Sequence, residues 1–121
     1  MKGIARYKKV DVESASNGQV LVMLMRGASV KLDEAAECVE SDPKEAIQKL
    51  RQVRDVYGEL LASLDDATAP EVCASLRRLY GWCIRELAQA EKEKSRARIL
   101  GVGQVTDTLL EAWTGAVAEA G

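Results

Sequence analysis

The sequence predicts an all-α protein, an antiparallel four-helix bundle with an extended N-terminal segment. Apolar residues recur three and four positions apart over most of the chain, which is the spacing of one helix face. Only two prolines occur, and the alternation typical of a strand is confined to a short stretch near the N-terminus. The 121 residues are enough for one domain with a modest core. We expect an N-terminal cap segment at residues 1–15 and a helical bundle at residues 16–121.

Three sequence patterns predict where helices begin. Ser16–Gln19 and Thr68–Glu71 have the form of a capping box, with a hydroxyl residue followed three positions later by Gln or Glu. Asp42–Glu45 repeats the pattern, with Pro43 at the first helical position, where its missing N–H is not needed. We therefore expect the first residue of each stretch to be the N-cap of its helix.

The connection between the third and fourth predicted helices lacks a clear sequence signal for a turn. Residues 90–98 contain neither Gly nor Pro, and their helix propensity alone would allow one continuous rod. We expect a turn here, because a rod would leave the apolar seam of the fourth helix exposed. Ser95 is the N-cap candidate in this stretch.

Each predicted helix carries an apolar seam of the kind that faces the core of an antiparallel bundle. In the first helix, Gly27 is expected to let a neighbouring helix approach closely. In chain order, the seams are Leu21, Leu24, Ala28, Leu32, Ala35 and Val39; Ala46, Leu50, Val53, Tyr57, Leu60, Leu61 and Leu64; Val72, Leu76, Leu79, Cys83, Leu87 and Ala90; and Ile99, Val102, Thr106, Leu109, Trp113 and Ala116.

The first helix is apolar on more than one side. Val20–Met25 are six consecutive apolar residues, and Met23 and Val30 point nearly opposite to the seam. Burying such a side chain is worth about 1.5–3 kcal/mol, so a cluster left in water indicates an interface. We predict a groove for a partner chain, lined by Val20, Met23, Leu24 and Met25, with Tyr80 and Ile84 of the third helix as contributors.

The segment ahead of the first helix is predicted to be extended. Val10 and Val12 alternate with charged residues, and Tyr7 lies further out. Such a segment can lie across the bundle and cover apolar groups, yet it makes few contacts and a partner could displace it. A disordered tail is the alternative interpretation of Tyr7.

The composition excludes several classes of function. The chain contains no histidine, which excludes a phosphotransfer bundle, a di-iron bundle with Glu-x-x-His pairs and a nucleophile activated by histidine. The formal net charge is −2 with both signs interspersed, which favours neither nucleic acid nor a membrane surface as a partner. We expect no enzyme activity, no cofactor and no metal site.

The cysteines indicate a reducing compartment. Cys38, Cys73 and Cys83 show no C-x-x-C spacing, and their odd number favours reduced thiols packed as small apolar side chains. No apolar run reaches the roughly 18 residues of a membrane-spanning helix, and no secretory signal is evident. We therefore expect a cytoplasmic protein with no membrane insertion.

Several motifs follow one another along the chain. Ser75–Ala90 contains an L-x-x-L-Y stretch, and Trp113 stands in an L-x-x-x-W pattern. A Y-x-x-V-x-V-x-S-A-S motif and the apolar stretch after it comprise Tyr7, Val10, Val12, Ser14, Ala15, Ser16, Val20, Met23, Leu24, Gly27 and Ala28. In their order and spacing, over about residues 4–116, these motifs resemble the FliS family of flagellin export chaperones.

This resemblance implies a cytosolic helical bundle that binds the disordered C-terminal segment of flagellin. Such a chaperone keeps flagellin from polymerising prematurely and helps to deliver it to the flagellar type III export apparatus. The flagellin tail would wrap around the bundle, partly as helices in apolar grooves. The chaperone's own N-terminal segment would cover part of that surface when it is empty. Other flagellar export or regulatory factors are further candidate partners.

The chain departs from the family at three positions. Met25 and Arg26 stand where the family usually has Tyr and Asp, and Glu91 stands in place of an Asn. A different exported protein as client is therefore an open alternative. A second alternative, from another class, is a structural helical module whose surplus apolar surface forms a homodimer.

Overall fold

Four helices follow one another along the chain. The computed structural model describes residues 15–120, with side chains from residue 18 to residue 118. Within this range the protein is all-α, as predicted, and contains no strand. The helices are α1 (Ala15–Cys38), α2 (Pro43–Ala62), α3 (Pro70–Glu93) and α4 (Arg96–Ala120).

The helices form an antiparallel bundle in which each one packs against two neighbours. Helix α1 packs against α2 and α4, and α3 packs against the same two, whereas the backbones of the diagonal pairs do not meet. We call the end where α1 and α3 begin, and α2 and α4 finish, the open end. The opposite end holds the two shorter connections, residues 39–42 and 94–95. None of the four described helices is long and apolar enough to cross a membrane.

The predicted seams form most of the core, with a few exceptions. Val72 is 58% exposed and Ala116 is exposed, although both continue a seam. Helix α3 instead buries Cys73 near its start. The seam residues that are fully buried or nearly so are Ala28, Leu32, Ala35, Val39, Ala46, Leu50, Val53, Tyr57, Leu60, Cys83, Leu87, Ala90, Ile99, Val102, Thr106 and Leu109.

Two aromatic rings and a hydroxyl pair occupy the centre of the core. The Tyr57 hydroxyl shares a 2.6 Å hydrogen bond with Thr106 Oγ1, which joins α2 to α4 across the bundle diagonal. The Tyr57 and Tyr80 rings lie 5.7 Å apart between centroids in a tilted arrangement. Thr106 is the buried polar side chain of the described core, and this bond satisfies it.

Two of the predicted N-caps are confirmed. Asp42 accepts a 3.3 Å hydrogen bond from the Glu45 amide, and Pro43 is the first residue of α2. Ser95 accepts a 3.2 Å hydrogen bond from the Arg98 amide and caps α4. The predicted turn before Ser95 is made by Lys94, whose φ of 53° is in the left-handed region and ends α3.

The other two N-cap predictions are wrong. Helix α1 already includes Ala15, so Ser16 lies inside it. Because Pro70 takes the first helical position, the N-cap of α3 is Ala69. Ala69 makes no side-chain capping bond. The Thr68 hydroxyl instead donates a 2.9 Å hydrogen bond to Asp65 Oδ2 and shapes the loop.

Close helix approach occurs at Gly18 rather than at Gly27. Among the described residues, no atom of another helix lies within 4 Å of the place where a Cβ on Gly27 would stand, so the prediction for Gly27 is wrong. A Cβ on Gly18 would lie 2.7 Å from Val117 Cγ2, which is closer than carbon atoms approach. Gly18 therefore lets the start of α1 pack tightly on the end of α4.

Candidate binding surfaces

An apolar cleft opens between the helices at the open end of the bundle. We call it the end cleft; its volume is about 420 Å³. Val72 and Leu76 continue the α3 seam beyond the point where the other helices cover it, which explains why a predicted seam residue is exposed. The cleft is lined by Gly18, Leu21, Leu60, Ser63, Leu64, Asp65, Thr68, Ala69, Val72, Cys73, Leu76, Tyr80 and Trp113.

The polar groups of the end cleft are mostly engaged within its own wall. Asp65 Oδ1 accepts a 3.0 Å hydrogen bond from the Ala67 amide, and the Cys73 thiol donates to the Asp65 carbonyl at 3.3 Å. Tyr80 is almost fully buried beneath the cleft, and this burial raises its pKa to about 12. The buried Trp113 Nε1 has no hydrogen-bond partner among the residues that the structure describes. The end cleft thus offers apolar surface rather than a site for chemistry.

A second apolar surface lies on the outside of the bundle between α1 and α4. We call it the side groove; its volume is about 330 Å³. Met23 is the most prominent of its residues, since 69% of its surface is exposed. The groove exists because α1 carries apolar residues on its outward side as well as on its core side. Its lining residues are Gln19, Val22, Met23, Arg26, Thr114 and Val117.

The two surfaces meet at the contact between α1 and α4. Gly18 lines the end cleft, Val117 lines the side groove, and these two residues pack directly against each other. The end cleft and the side groove therefore adjoin at this contact between α1 and α4.

A third concave surface, on the outside of α2, is mostly polar. It is lined by Lys44, Ile47, Gln48, Arg51, Gln52 and Asp55, of which only Ile47 is apolar. Arg51 already donates a 2.7 Å hydrogen bond to Glu91 Oε1 across the α2–α3 interface. Arg54 Nη2 lies 3.3 Å from Glu91 Oε2 as an ion pair, without the alignment of a hydrogen bond. We do not count this surface as a candidate site.

The predicted groove residues of α1 separate into two groups. Met23 lines the side groove. Val20 and Leu24 are half-buried and line neither surface, and Leu24 packs against the core. Met25 lines neither surface: it is fully buried in the core, because its position on the helix turns it inward beside Ala28.

The predicted residues of α3 and of the N-terminal segment have other locations. Tyr80 lies at the floor of the end cleft, and Ile84 is half-buried against the core. Tyr7, Val10 and Val12 lie outside the described residues.

Sequence reasoning missed the end cleft. Leu64, Val72 and Trp113 were all assigned to seams, which is correct for their helix face, but they lie where the seams run past their neighbours. Val117 was not singled out either, because its contact with Gly18 joins residues far apart in the sequence and leaves no local pattern.

Comparison with known proteins assigns the chain to a family. The sequence profile described as "Flagellar protein FliS" matches residues 1–120. The chain belongs to the FliS family. A flagellar secretion chaperone FliS of Salmonella typhimurium is 33% identical over 119 residues, covering 92% of this chain and 87% of that protein. The flagellar secretion chaperone FliS of Escherichia coli K12 is 25% identical over 118 residues, covering 93% and 87%. The FliS family is a family of chaperones and not a class of enzymes.

Proposed function

We propose that this FliS protein binds the disordered C-terminal segment of flagellin in the cytoplasm, prevents its premature polymerisation and aids its export. The observation that carries the proposal is the pair of apolar surfaces, end cleft and side groove, that meet at Gly18 and Val117. Membership of a family of flagellar secretion chaperones supplies the class of partner.

The two surfaces suit a helical segment that folds as it binds. An amphipathic helix places apolar side chains in a groove at intervals of three and four residues, and these anchors give most of the affinity. Ordering a disordered segment costs about 2–5 kcal/mol. Each large apolar anchor gains about 1.5–3 kcal/mol on burial, so several anchors spread over both surfaces are needed to offset this cost and that of association.

The N-terminal segment of the protein is part of the same proposal. It precedes α1 in the sequence, and Gly18 and Leu21 near the start of α1 line the end cleft. Tyr7, Val10 and Val12 are proposed as a displaceable cover for apolar surface when no client is bound, on the basis of their alternation with charge in the sequence.

Substituting Met23 with Asp tests the proposal. A carboxylate in the side groove faces apolar client side chains and has to be desolvated, so we expect Met23→Asp to weaken binding at least about tenfold. Because Met23 is exposed, the helix content should not change. Titration of the purified variants with a peptide of the bacterium's own flagellin C-terminus, together with far-UV circular dichroism, measures both quantities.

Leu100→Asp is the matched control for this experiment. Leu100 is 43% exposed on α4 and lines neither surface, so the same kind of change there should leave binding unaltered. Unaltered binding by Met23→Asp would contradict the role of the side groove. A tight dimer in ultracentrifugation with no peptide binding would instead support a structural module.

A further inference from the structure

We infer that Arg26 selects the client by requiring a carboxylate on the segment that lies in the side groove. This inference rests on the proposed function and adds the chemistry by which one exported segment is preferred over another. It predicts an amphipathic segment that carries an Asp or Glu one helical turn from an apolar anchor.

Arg26 is a cation of the side groove that forms no salt bridge with any other described residue. Its side chain is exposed and lines the groove. Of the 13 cations that the structure describes, five are engaged in ion pairs and Arg26 is among the others. The five engaged cations are Lys49 with Glu34 and Glu45, Arg51 and Arg54 with Glu91, Arg77 with Asp66, and Arg98 with Glu86 and Glu93.

The apolar surroundings of Arg26 determine what a bound segment must supply. Arg26 follows Met23 by three residues and precedes Val30 by four, so exposed apolar side chains lie on both sides of it along α1. A segment that covers Met23 also removes water from the guanidinium, and a charge desolvated without a partner is costly. A carboxylate at this point offsets that cost through a bidentate, charge-assisted hydrogen bond.

The order of residues along the side groove determines how far apart the apolar anchor and the carboxylate must lie in the client. Gly18 packs on Val117, and Ser29 Oγ donates a 2.6 Å hydrogen bond to Asp107 Oδ1, so α1 and α4 run antiparallel. The apolar part of the groove therefore lies toward the open end and Arg26 lies toward the middle of the bundle. Val22 and Arg26 are one helical turn apart, so the anchor and the carboxylate of a helix lying along α1 should be three or four residues apart.

The end cleft imposes no matching requirement. Its one charged lining residue is Asp65, whose oxygens are already held by its own loop through the Ala67 amide and the Thr68 hydroxyl. Charge selection is thus confined to the side groove, and the part of the client in the end cleft is selected by shape and apolar character.

Charge reversal at Arg26 tests the inference. Close charge pairs at partly desolvated interfaces couple strongly, so we expect Arg26→Glu to weaken binding of the flagellin C-terminal peptide at least about tenfold. Arg26→Gln should weaken it about threefold and reduce its dependence on salt. Reversing one acidic residue of the peptide to Lys should restore most of the affinity for Arg26→Glu.

Arg85→Glu is the matched control. Arg85 is exposed on α3, the helix diagonal to α1, and forms no salt bridge among the described residues, so this change alters the net charge equally without touching the groove. Equal binding by Arg26→Glu and Arg85→Glu, or failure of every peptide charge reversal to restore affinity, would overturn the inference. If Met23→Asp still weakens binding in that case, the proposed function stands; if it does not, the side groove has no role in binding and the proposal that both surfaces hold the client fails as well.

Discussion

The hydroxyl pair of Tyr57 and Thr106 is the main polar feature inside the core. Both residues were predicted to be seam residues, and both are fully buried. Their 2.6 Å hydrogen bond could not be predicted from the seams, because it joins helices whose backbones are not neighbours. A buried hydroxyl left without a partner loses its hydrogen bond to water, so each of these groups depends on the other.

We expect Tyr57→Phe and Thr106→Val each to reduce the free energy of unfolding by about 1–3 kcal/mol, because each leaves one buried hydroxyl unpaired. The double variant leaves neither group unpaired, so its loss should fall short of the sum of the single losses by at least about 0.5 kcal/mol. Urea unfolding of the four proteins completes the double-mutant cycle. Strictly additive losses would mean that the bond has no coupling energy.

For the helices, the sequence predicted the buried faces well and the positions of the helix ends less well. Periodicity assigned most seam residues correctly because burial repeats with the helix turn, whereas Val72 and Ala116 are exposed and Met25 is buried outside its seam. The N-cap predictions at Asp42 and Ser95 are confirmed, whereas the one at Thr68 failed because Pro70 displaces the helix start by one residue. The Gly27 prediction failed because a glycine within a helix does not reveal whether a neighbour approaches that side.

The contact between α1 and α4 predicts opposite effects for two glycine substitutions. Gly27→Ala should raise the free energy of unfolding by about 0.5–1 kcal/mol, because Ala favours helix and the space is open. In Gly18→Ala the new methyl group forces Val117 Cγ2 to move, and such overpacking costs about 1–3 kcal/mol. This cost should cancel the gain in helix propensity, so the free energy of unfolding should not rise. Thermal or urea unfolding compares the two variants. The packing argument would be contradicted if Gly18→Ala were as stable as Gly27→Ala.

For the whole molecule, burial of ionisable groups at the core predicts sensitivity to alkali. Burial raises the pKa of Cys83 to about 11 and that of Tyr80 to about 12, and it raises the pKa of Tyr57 further. In the unfolded chain the same groups ionise near pH 9 to 10. Because the folded state keeps these protons to higher pH, the stability they contribute is present below about pH 9 and is lost as the pH rises through the folded pKa values.

Urea unfolding between pH 8 and pH 11 measures this loss. Above about pH 10, the free energy of unfolding should fall by up to about 1.4 kcal/mol per pH unit for each group that is protonated in the folded state and ionised in the unfolded chain. Tyr57→Phe removes one of these groups and should make the decline less steep. A free energy of unfolding that stayed constant up to pH 11 would show that these groups do not retain their protons in the fold.

The two candidate binding surfaces could be predicted only in part from the spacing of apolar residues in the sequence. The surplus on α1 was evident because Met23 lies opposite the seam, and Met23 does line the side groove. The same surplus suggested Met25, which the structure buries, because a bundle closes around a wider arc of α1 than a seam alone implies. The end cleft exists because the helices end at different levels relative to their neighbours. The periodicity of apolar residues within one helix does not predict these levels.

The meeting of α1 and α4 at Gly18 and Val117 has a practical consequence for labelling the protein. A reporter attached next to Ala15 lies close to both surfaces, where its bulk would cover them. The connection between α1 and α2, where Glu40 and Ser41 are exposed, lies at the far end of the bundle. A fluorophore or affinity handle placed there leaves both surfaces uncovered.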